Sequence, residues 1–155
     1  MKSTILFSLI WLVSLCVLGF LPPSGHNGEA DGVEVEYLEN YDGDTFKAEI
    51  AAWPKIIGHR VPIRIAGVDT AEMASGEPCE RRMAIKAKTW LRSLLKGASE
   101  IRILNIRRGK YFRIVADVYA DRASVSQLLL DQGFATRYAG KKKKSIDWCS
   151  PIQAF

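Results

Sequence analysis

Three short runs of the sequence hold the residue types that hydrolysis of a phosphodiester bond requires. They cover residues 41–45, 64–72 and 109–113. Such a reaction uses carboxylates that bind a divalent cation, a base for water, and cationic donors for charge on the phosphate. Arginine suits the last role because its planar guanidinium stays charged and can donate two hydrogen bonds to phosphate oxygens. Together the runs predict a metal-assisted phosphodiester site.

Each run also has a purely structural interpretation. Asp-Gly is among the commonest hairpin pairs, so Asp42-Gly43-Asp44 could serve only as a turn. Asp69-Thr70 could cap or turn the chain, and a lone strand arginine such as Arg64 is usually solvated. These alternatives stay open for each run taken singly, and the combination of all three favours the chemical interpretation.

The elements that would position these runs follow from the periodicity of apolar residues. Alternation over residues 33–38 and 46–50, with turn residues between them, predicts a first hairpin. Trp53-Pro54 then breaks the chain, and alternation over residues 61–65 predicts a third strand.

The second half of the chain begins with a change of period. Apolar residues recur at helical spacing over residues 80–96, and strands follow at 101–106 and 113–119. Ser124 can then cap a short helix. This order predicts an α+β fold, a five-stranded OB-fold β-barrel with a helix between strands 3 and 4 and a short C-terminal helix.

The order of the three motifs resembles that of the staphylococcal nuclease (thermonuclease) family over about residues 33–138. In that family Asp-Gly-Asp-Thr, Arg-x-x-x-(Val/Ile)-Asp-(Thr/Ala)-Pro-Glu and Lys-Tyr-Gly-Arg follow one another in this order. This chain departs from the pattern twice, because Ala71 replaces the proline and Phe112 replaces the glycine. We therefore expect the turn before Arg113 to have a φ that suits a bulky residue. The resemblance implies a calcium-dependent nuclease that cleaves DNA and RNA with low sequence specificity.

The resemblance also implies individual roles. The residues that would bind Ca²⁺ are Asp44, Asp69 and the carbonyl of Thr70, with Asp42 in an outer shell. The residues that would act on the scissile phosphate are Glu72 as general base and Arg64 and Arg113 as phosphate ligands. The residues that would contact the rest of the substrate are Lys110 and Tyr111 at a terminal phosphate and Tyr138 as a stacking ring. The alternative is a non-catalytic OB-fold module that binds nucleic acid without cutting it.

The N-terminus predicts an export signal. Residues 5–21 carry no charge and follow Lys2. We therefore predict a signal peptide and linker over residues 1–30, a nuclease-like domain over 31–140 and a basic tail over 141–155. Cleavage would leave a periplasmic or secreted protein. The apolar stretch is also close to the shortest length that can span a bilayer, so an uncleaved membrane anchor is the alternative.

Charge and cysteine content bear on the partners of the chain. The 155 residues carry a formal net charge of +5, which attracts nucleic acid or an anionic membrane surface.

Two cysteines of an exported domain are more often paired than free, so we expect a disulfide between Cys79 and Cys149, with two separate thiols as the alternative. The lysines at 141–144 could be a solvated loop or could grip a nucleic-acid backbone. We expect a monomer.

Overall fold

The computed structural model describes residues 32–140 and 146–149. The predicted leader and the lysines at 141–144 lie outside this part of the chain. Within it, no helix is long and apolar enough to cross a bilayer. The strands and helices, in chain order, are β1 (Val33–Glu34), β2 (Glu36–Asn40), β3 (Thr45–Glu49), α1 (Lys55–Gly58), β4 (Val61–Ile65), β5 (Val68–Thr70), α2 (Pro78–Gly97), β6 (Ile101–Arg108), β7 (Ile114–Ala120), β8 (Ala123–Ser124), α3 (Val125–Asp131) and β9 (Ala135–Arg137).

The main sheet curls back on itself through its first extended segment. β1 and β2 form one extended segment with a single residue between them. β1 pairs with β6 and β2 pairs with β3, both antiparallel, so this segment joins the two edges of the sheet. The remaining order runs β6-β7-β4-β3, with β4 and β7 parallel. Five extended segments therefore form the barrel, and α2 is inserted between the third and fourth. The predicted α+β, OB-type fold is confirmed.

The core fills the barrel and the face of α2 that covers it. Phe46 and Ala48 of β3 point inward with Ile63 of β4, as the alternation predicted, and all three are buried. Leu91 and Leu95, four residues apart on α2, are buried as well. The interior of the barrel is therefore filled by side chains, so a functional site must lie in the loops outside it.

The observed elements differ from the prediction in their short pieces. A single turn of helix, α1, forms where Trp53-Pro54 predicted only a break. The strands β5 and β9 pair Asp69 with Thr136 and were not predicted, because three residues are too few to show alternation. The helix α2 begins at Pro78, two residues before the predicted start. The predicted Ser124 cap is confirmed, since its side chain accepts a hydrogen bond from the Gln127 N–H.

Candidate active site

The loop that precedes β3 is fastened to helix α2 at two points. The buried Asn40 side chain donates from Nδ2 to the carbonyl oxygens of Asp42, at 2.8 Å, and Lys88, at 2.9 Å. At Gly43, an added Cβ would lie 2.6 Å from the Cβ of Ala87, closer than side chains approach. Glycine is therefore required here by packing, and the loop is held where two carboxylates follow one another.

Asp42 both shapes this turn and contributes its charge to it. Its Oδ1 accepts hydrogen bonds from the backbone N–H groups of Asp44, at 3.2 Å, and Thr45, at 2.7 Å. Burial, followed by the charge of Asp44, raises the pKa of Asp42 to about 6. The structural interpretation of the Asp-Gly-Asp run is thus correct for the backbone, and the crowding of negative charge is an additional property.

Arg64 lies at the centre of a buried ion-pair network. Its Nη1 pairs with Oδ1 of Asp44, and its Nη2 donates to Oδ1 of Asp69 at 2.9 Å and to the carbonyl of Val68 at 3.0 Å. Burial opposes the charge of the guanidinium, but the two carboxylates outweigh it and hold the pKa of Arg64 above its ordinary value. The arginine in the apolar strand β4 is therefore a buried charge and not a solvated surface residue.

The segment after β4 places the next acidic residues. Gly67, with φ of +80°, turns the chain from β4 into β5. The backbone N–H of Thr70 then donates to Oδ2 of Asp44 at 3.3 Å, which joins β5 to the loop before β3. Asp69 is buried and bonded to Arg64, so it acts on the cleft by fixing the position of the arginine.

These elements enclose a polar cleft of about 170 Å³. Its lining consists of Asp42, Asp44, Arg64, Thr70, Ala71, Glu72, Arg113 and Tyr138. The structure thus gathers most of the residues that sequence predicted, from three distant runs. Asp69, Lys110 and Tyr111 are outside the lining.

Arg113 enters the cleft from the hairpin between β6 and β7. Its backbone N–H donates to the Lys110 carbonyl at 3.3 Å, and its own carbonyl accepts from Gly109 at 2.9 Å. Nε of Arg113 is buried and has no hydrogen-bond partner within the described residues. A buried donor of a charged group that lacks a partner is costly. An anionic ligand would satisfy it.

The tip of this hairpin corrects one expectation. We expected Phe112, which replaces a glycine of the family pattern, to have a backbone angle that suits a bulky residue. Instead Tyr111 and Phe112 have φ of 56° and 60°, in the left-handed region that favours glycine. Lys110 and Tyr111 are exposed on this turn, and their predicted contacts with a terminal phosphate stay predictions.

The Glu72 side of the cleft is held by a cross-link. The Glu72 N–H donates to Oε1 of Glu80 at 3.3 Å, on the first turn of α2. A disulfide joins Cys79, the preceding residue on α2, to Cys149, with a Cα–Cα distance of 5.4 Å. Trp148 is buried in a small cluster with Ala71, the neighbour of Glu72. Sequence reasoning missed Glu80 and Trp148, whose only signal was their position beside the two cysteines.

Tyr138 covers Arg64 from the end of β9. Its backbone N–H donates to the Gly67 carbonyl at 2.9 Å, and its ring centre lies 5.7 Å from Cζ of Arg64. This is within the range of a cation–π contact. The ring that sequence assigned to stacking on substrate is therefore in the cleft and in contact with the arginine.

The donor set of the cleft fits a hard cation. In residues 32–140 and 146–149, no three His, Cys, Asp or Glu side chains form a cluster that could hold a metal by themselves. The set is instead the carboxylates of Asp42 and Asp44 beside Thr70, and carboxylate and carbonyl oxygens are the ligands that Ca²⁺ prefers. Asp44 also raises the pKa of Asp42, a repulsion that a bound cation would relieve.

Fold and site together define an OB-barrel protein with an acid–arginine cleft. Residues 62–149 match the family model described as staphylococcal nuclease homologue, and the chain belongs to that family. Similar proteins include "Probable endonuclease lcl3" of Penicillium rubens, which is 33% identical over 64% of this chain and 43% of its own length. "Probable endonuclease LCL3" of Podospora anserina is 40% identical over 54% of this chain and 32% of its own length. The chain thus spans less than half of these relatives.

Proposed function

We propose that this protein is a calcium-dependent nuclease that hydrolyses phosphodiester bonds in DNA and RNA with low sequence specificity. Family membership and relatives named probable endonucleases support the nuclease activity. The observation that carries the proposal is the cleft, which holds carboxylates, Glu72 and two arginines in one space of about 170 Å³. Metal-assisted hydrolysis uses groups of these kinds: metal ligands, a base for water and cationic donors for the phosphate.

The proposed reaction adds water across a P–O bond of the backbone. Glu72, exposed at the edge of the cleft, accepts a proton from the attacking water as the water oxygen bonds to phosphorus. The P–O bond to the leaving oxygen breaks, and that oxygen takes a proton from solvent. Arg113 donates to the non-bridging phosphate oxygens, for which its buried Nε has no competing partner among the described residues. Arg64, fixed by Asp44 and Asp69, presents its charge to the same phosphate.

The proposed cofactor is Ca²⁺, held by Asp44, Asp69 and the Thr70 carbonyl as the family resemblance implies, with Asp42 nearby. Asp42, Asp44 and Thr70 line the cleft, whereas Asp69 pairs with Arg64 outside the lining and would have to turn from it to reach the cation. A calcium ion at this position would polarise the phosphate and offset its charge. The position of Asp42 and Asp44 in the lining supports a cation between the loop before β3 and Thr70. The same cation would offset the repulsion between the carboxylates of Asp42 and Asp44.

Cleavage of plasmid DNA and of a long RNA tests the proposal. We expect cleavage with calcium, none in excess chelator, and a loss on the order of a hundredfold or more for Glu72→Gln. Glu77→Gln is the matched control, because Glu77 is an exposed acid of the same loop outside the cleft and should leave cleavage unchanged. Undiminished cleavage in chelator would remove calcium from the proposal. Binding without any cleavage would favour the non-catalytic module.

We further propose that the protein is exported. The uncharged stretch over residues 5–21 supports this, and so does the Cys79–Cys149 bond, because disulfides persist in oxidising compartments. Membrane attachment is proposed only if the leader stays uncleaved. Thiol labelling of the exported protein, unfolded without reductant, should find neither cysteine of the domain reactive. Two labelled thiols would contradict the export argument from the disulfide.

A further inference from the structure

A second concave surface lies beyond the cleft, on the other side of the β6–β7 hairpin. This hairpin groove has a volume of about 570 Å³ and runs between the segment that holds α1 and the strand β6. Its lining includes Trp53, Ile57, Arg107, Arg108 and Phe112. None of the acids that line the cleft belongs to it.

The charge of the hairpin groove is of one sign. Its charged lining residues are Arg60, Arg107 and Arg108, and no aspartate or glutamate lines it. Arg60 is already paired with Glu39. Arg107 and Arg108 are exposed and have no ion pair with any residue that the structure describes. An anionic ligand is therefore complementary to this surface.

Aromatic residues lie among these cations. Phe112 is 89% exposed, although its ring could gain by burial. It also keeps a left-handed φ of 60°, which glycine or asparagine would adopt at lower cost. Strained residues of this kind concentrate at sites that clamp a ligand. Trp53, half-buried, is a second flat ring in the lining.

We propose that the hairpin groove binds a single-stranded stretch of nucleic acid, with Phe112 and Trp53 contacting bases and Arg107 and Arg108 contacting phosphates. Cationic side chains that follow the backbone, interleaved with aromatic rings that stack on bases, are how proteins bind single strands. Such stacking requires bases that are not paired in a duplex. The proposal rests on the proposed nuclease function for its substrate, and it extends that substrate beyond the scissile phosphate.

The hairpin connects the groove to the cleft. Phe112 lines the groove and the next residue, Arg113, lines the cleft, so a strand held at one surface passes the other. An anionic membrane is less well matched. Ile56 and Ile57 are exposed in the lining and could touch lipid, but Pro62 and Ile114 are half-buried inside a concave space of about 570 Å³, which a chain can enter more readily than a flat lipid surface can.

Binding without cleavage tests the inference independently of catalysis. The affinity of fluorescent single-stranded and duplex oligonucleotides is measured by anisotropy in calcium-free buffer across a range of salt. We expect tighter binding of the single strand, and Phe112→Asn, which tolerates the left-handed φ, should weaken it about tenfold. Arg107→Gln with Arg108→Gln should lower the slope of log affinity against log salt by about 1.4, or about 0.7 for each phosphate contact.

The matched control is the pair Arg82→Gln and Arg92→Gln, which removes the same charge from the exposed surface of α2. We expect this pair to change the slope by much less. Equal effects of the two pairs, or unchanged binding by Phe112→Asn, would overturn the proposal. Retention on anionic phospholipid vesicles that only the groove variants lose, with oligonucleotide binding intact, would also overturn it. Because no arm requires cleavage, a protein that binds as expected but cuts nothing would refute the proposed nuclease and leave the groove standing.

Discussion

The two arginines of the cleft have the same charge and opposite surroundings. Arg64 lies on a barrel strand, is buried, and is bonded to two carboxylates and a backbone carbonyl. Arg113 follows a strained hairpin tip, is half-buried, and keeps Nε without a hydrogen-bond partner in the described part of the chain. Both Nη groups of Arg64 are thus bonded within the protein, whereas Nε of Arg113 has no bond there that a ligand would have to replace.

Two residues of the same type can therefore have different roles in one site: Arg64 fixes the acids, and Arg113 is the proposed phosphate ligand. Two buried carboxylates next to one another would repel, and Arg64 offsets that repulsion while it fixes their positions. In the proposed reaction Arg113 would bind the phosphate, because nothing among the described residues competes for its Nε. Substitutions at the two positions should therefore separate the free energy of unfolding from the rate of cleavage.

The largest effect is expected for Arg64→Met, which leaves Asp44 and Asp69 buried without their cation. In chelator the free energy of unfolding should fall by about 3–5 kcal/mol, as for other broken buried pairs. Calcium should restore part of this loss, because it would neutralise the same carboxylates. Cleavage should be abolished. The measurement is denaturant unfolding with calcium and with chelator.

Lys47→Met is the matched control for this prediction. Lys47 also pairs with a carboxylate, Glu39, at 2.9 Å, but both side chains are about half exposed. An exposed pair contributes about 0–1 kcal/mol. If Arg64→Met costs no more than Lys47→Met, Arg64 is not part of the scaffold and the comparison with Arg113 fails.

A loss of cleavage with little loss of stability is expected for Arg113→Lys. The charge remains, so binding of single-stranded DNA at constant salt should be nearly unchanged. The planar fork is lost, so single-turnover cleavage with calcium should slow on the order of a hundredfold. Unchanged cleavage would exclude Arg113 from the reaction and contradict its role as a phosphate ligand. A parallel collapse of binding would make its role docking.

Sequence predicted the Arg64 side of the cleft better than the Glu72 side. Arg64 lies inside a strand whose alternation is plain, so its neighbours fixed its position. Ala71 and Glu72 depend on Trp148 and on a disulfide to a tail far along the chain. Local periodicity cannot reveal such contacts, because they arise only after the chain has folded.

The hairpin shows the same limit at a smaller scale. Residue types at Tyr111 and Phe112 argued against a left-handed turn, yet both adopt it. Pairing of β6 with β7 up to Arg108 and Ile114 sets the length of the turn, and tertiary structure overrides the local preference. A residue that adopts a φ disfavoured by its own type, as Tyr111 and Phe112 do, is therefore difficult to predict from sequence.

Gly43→Ala should have a moderate effect, on the scaffold that holds the carboxylates. Its Cβ would lie 2.6 Å from that of Ala87 and 3.1 Å from the Thr70 side chain, so the loop must shift. We expect a loss of about 1–3 kcal/mol in the free energy of unfolding and slower cleavage, since Asp44 would move. Gly76→Ala is the control, because nothing lies within 4 Å of its added Cβ. Equal stability of the two variants would show that α2 does not fix the loop.

The smallest effect is expected at Tyr138, whose ring lies 5.7 Å from Cζ of Arg64. A cation–π contact at a partly exposed site contributes about 0.5–1 kcal/mol, which corresponds to about two- to fivefold in rate if the ring orients Arg64 in the transition state. Tyr138→Leu should therefore slow cleavage by that factor, and Tyr138→Phe, which keeps the ring, should not. The test is the single-turnover rate with saturating DNA, where weaker substrate binding has no influence. If Tyr138→Leu changes only the DNA concentration needed for half-saturation, the ring acts on the substrate and not on Arg64. A loss in Tyr138→Phe equal to that in Tyr138→Leu would instead assign the effect to the hydroxyl group.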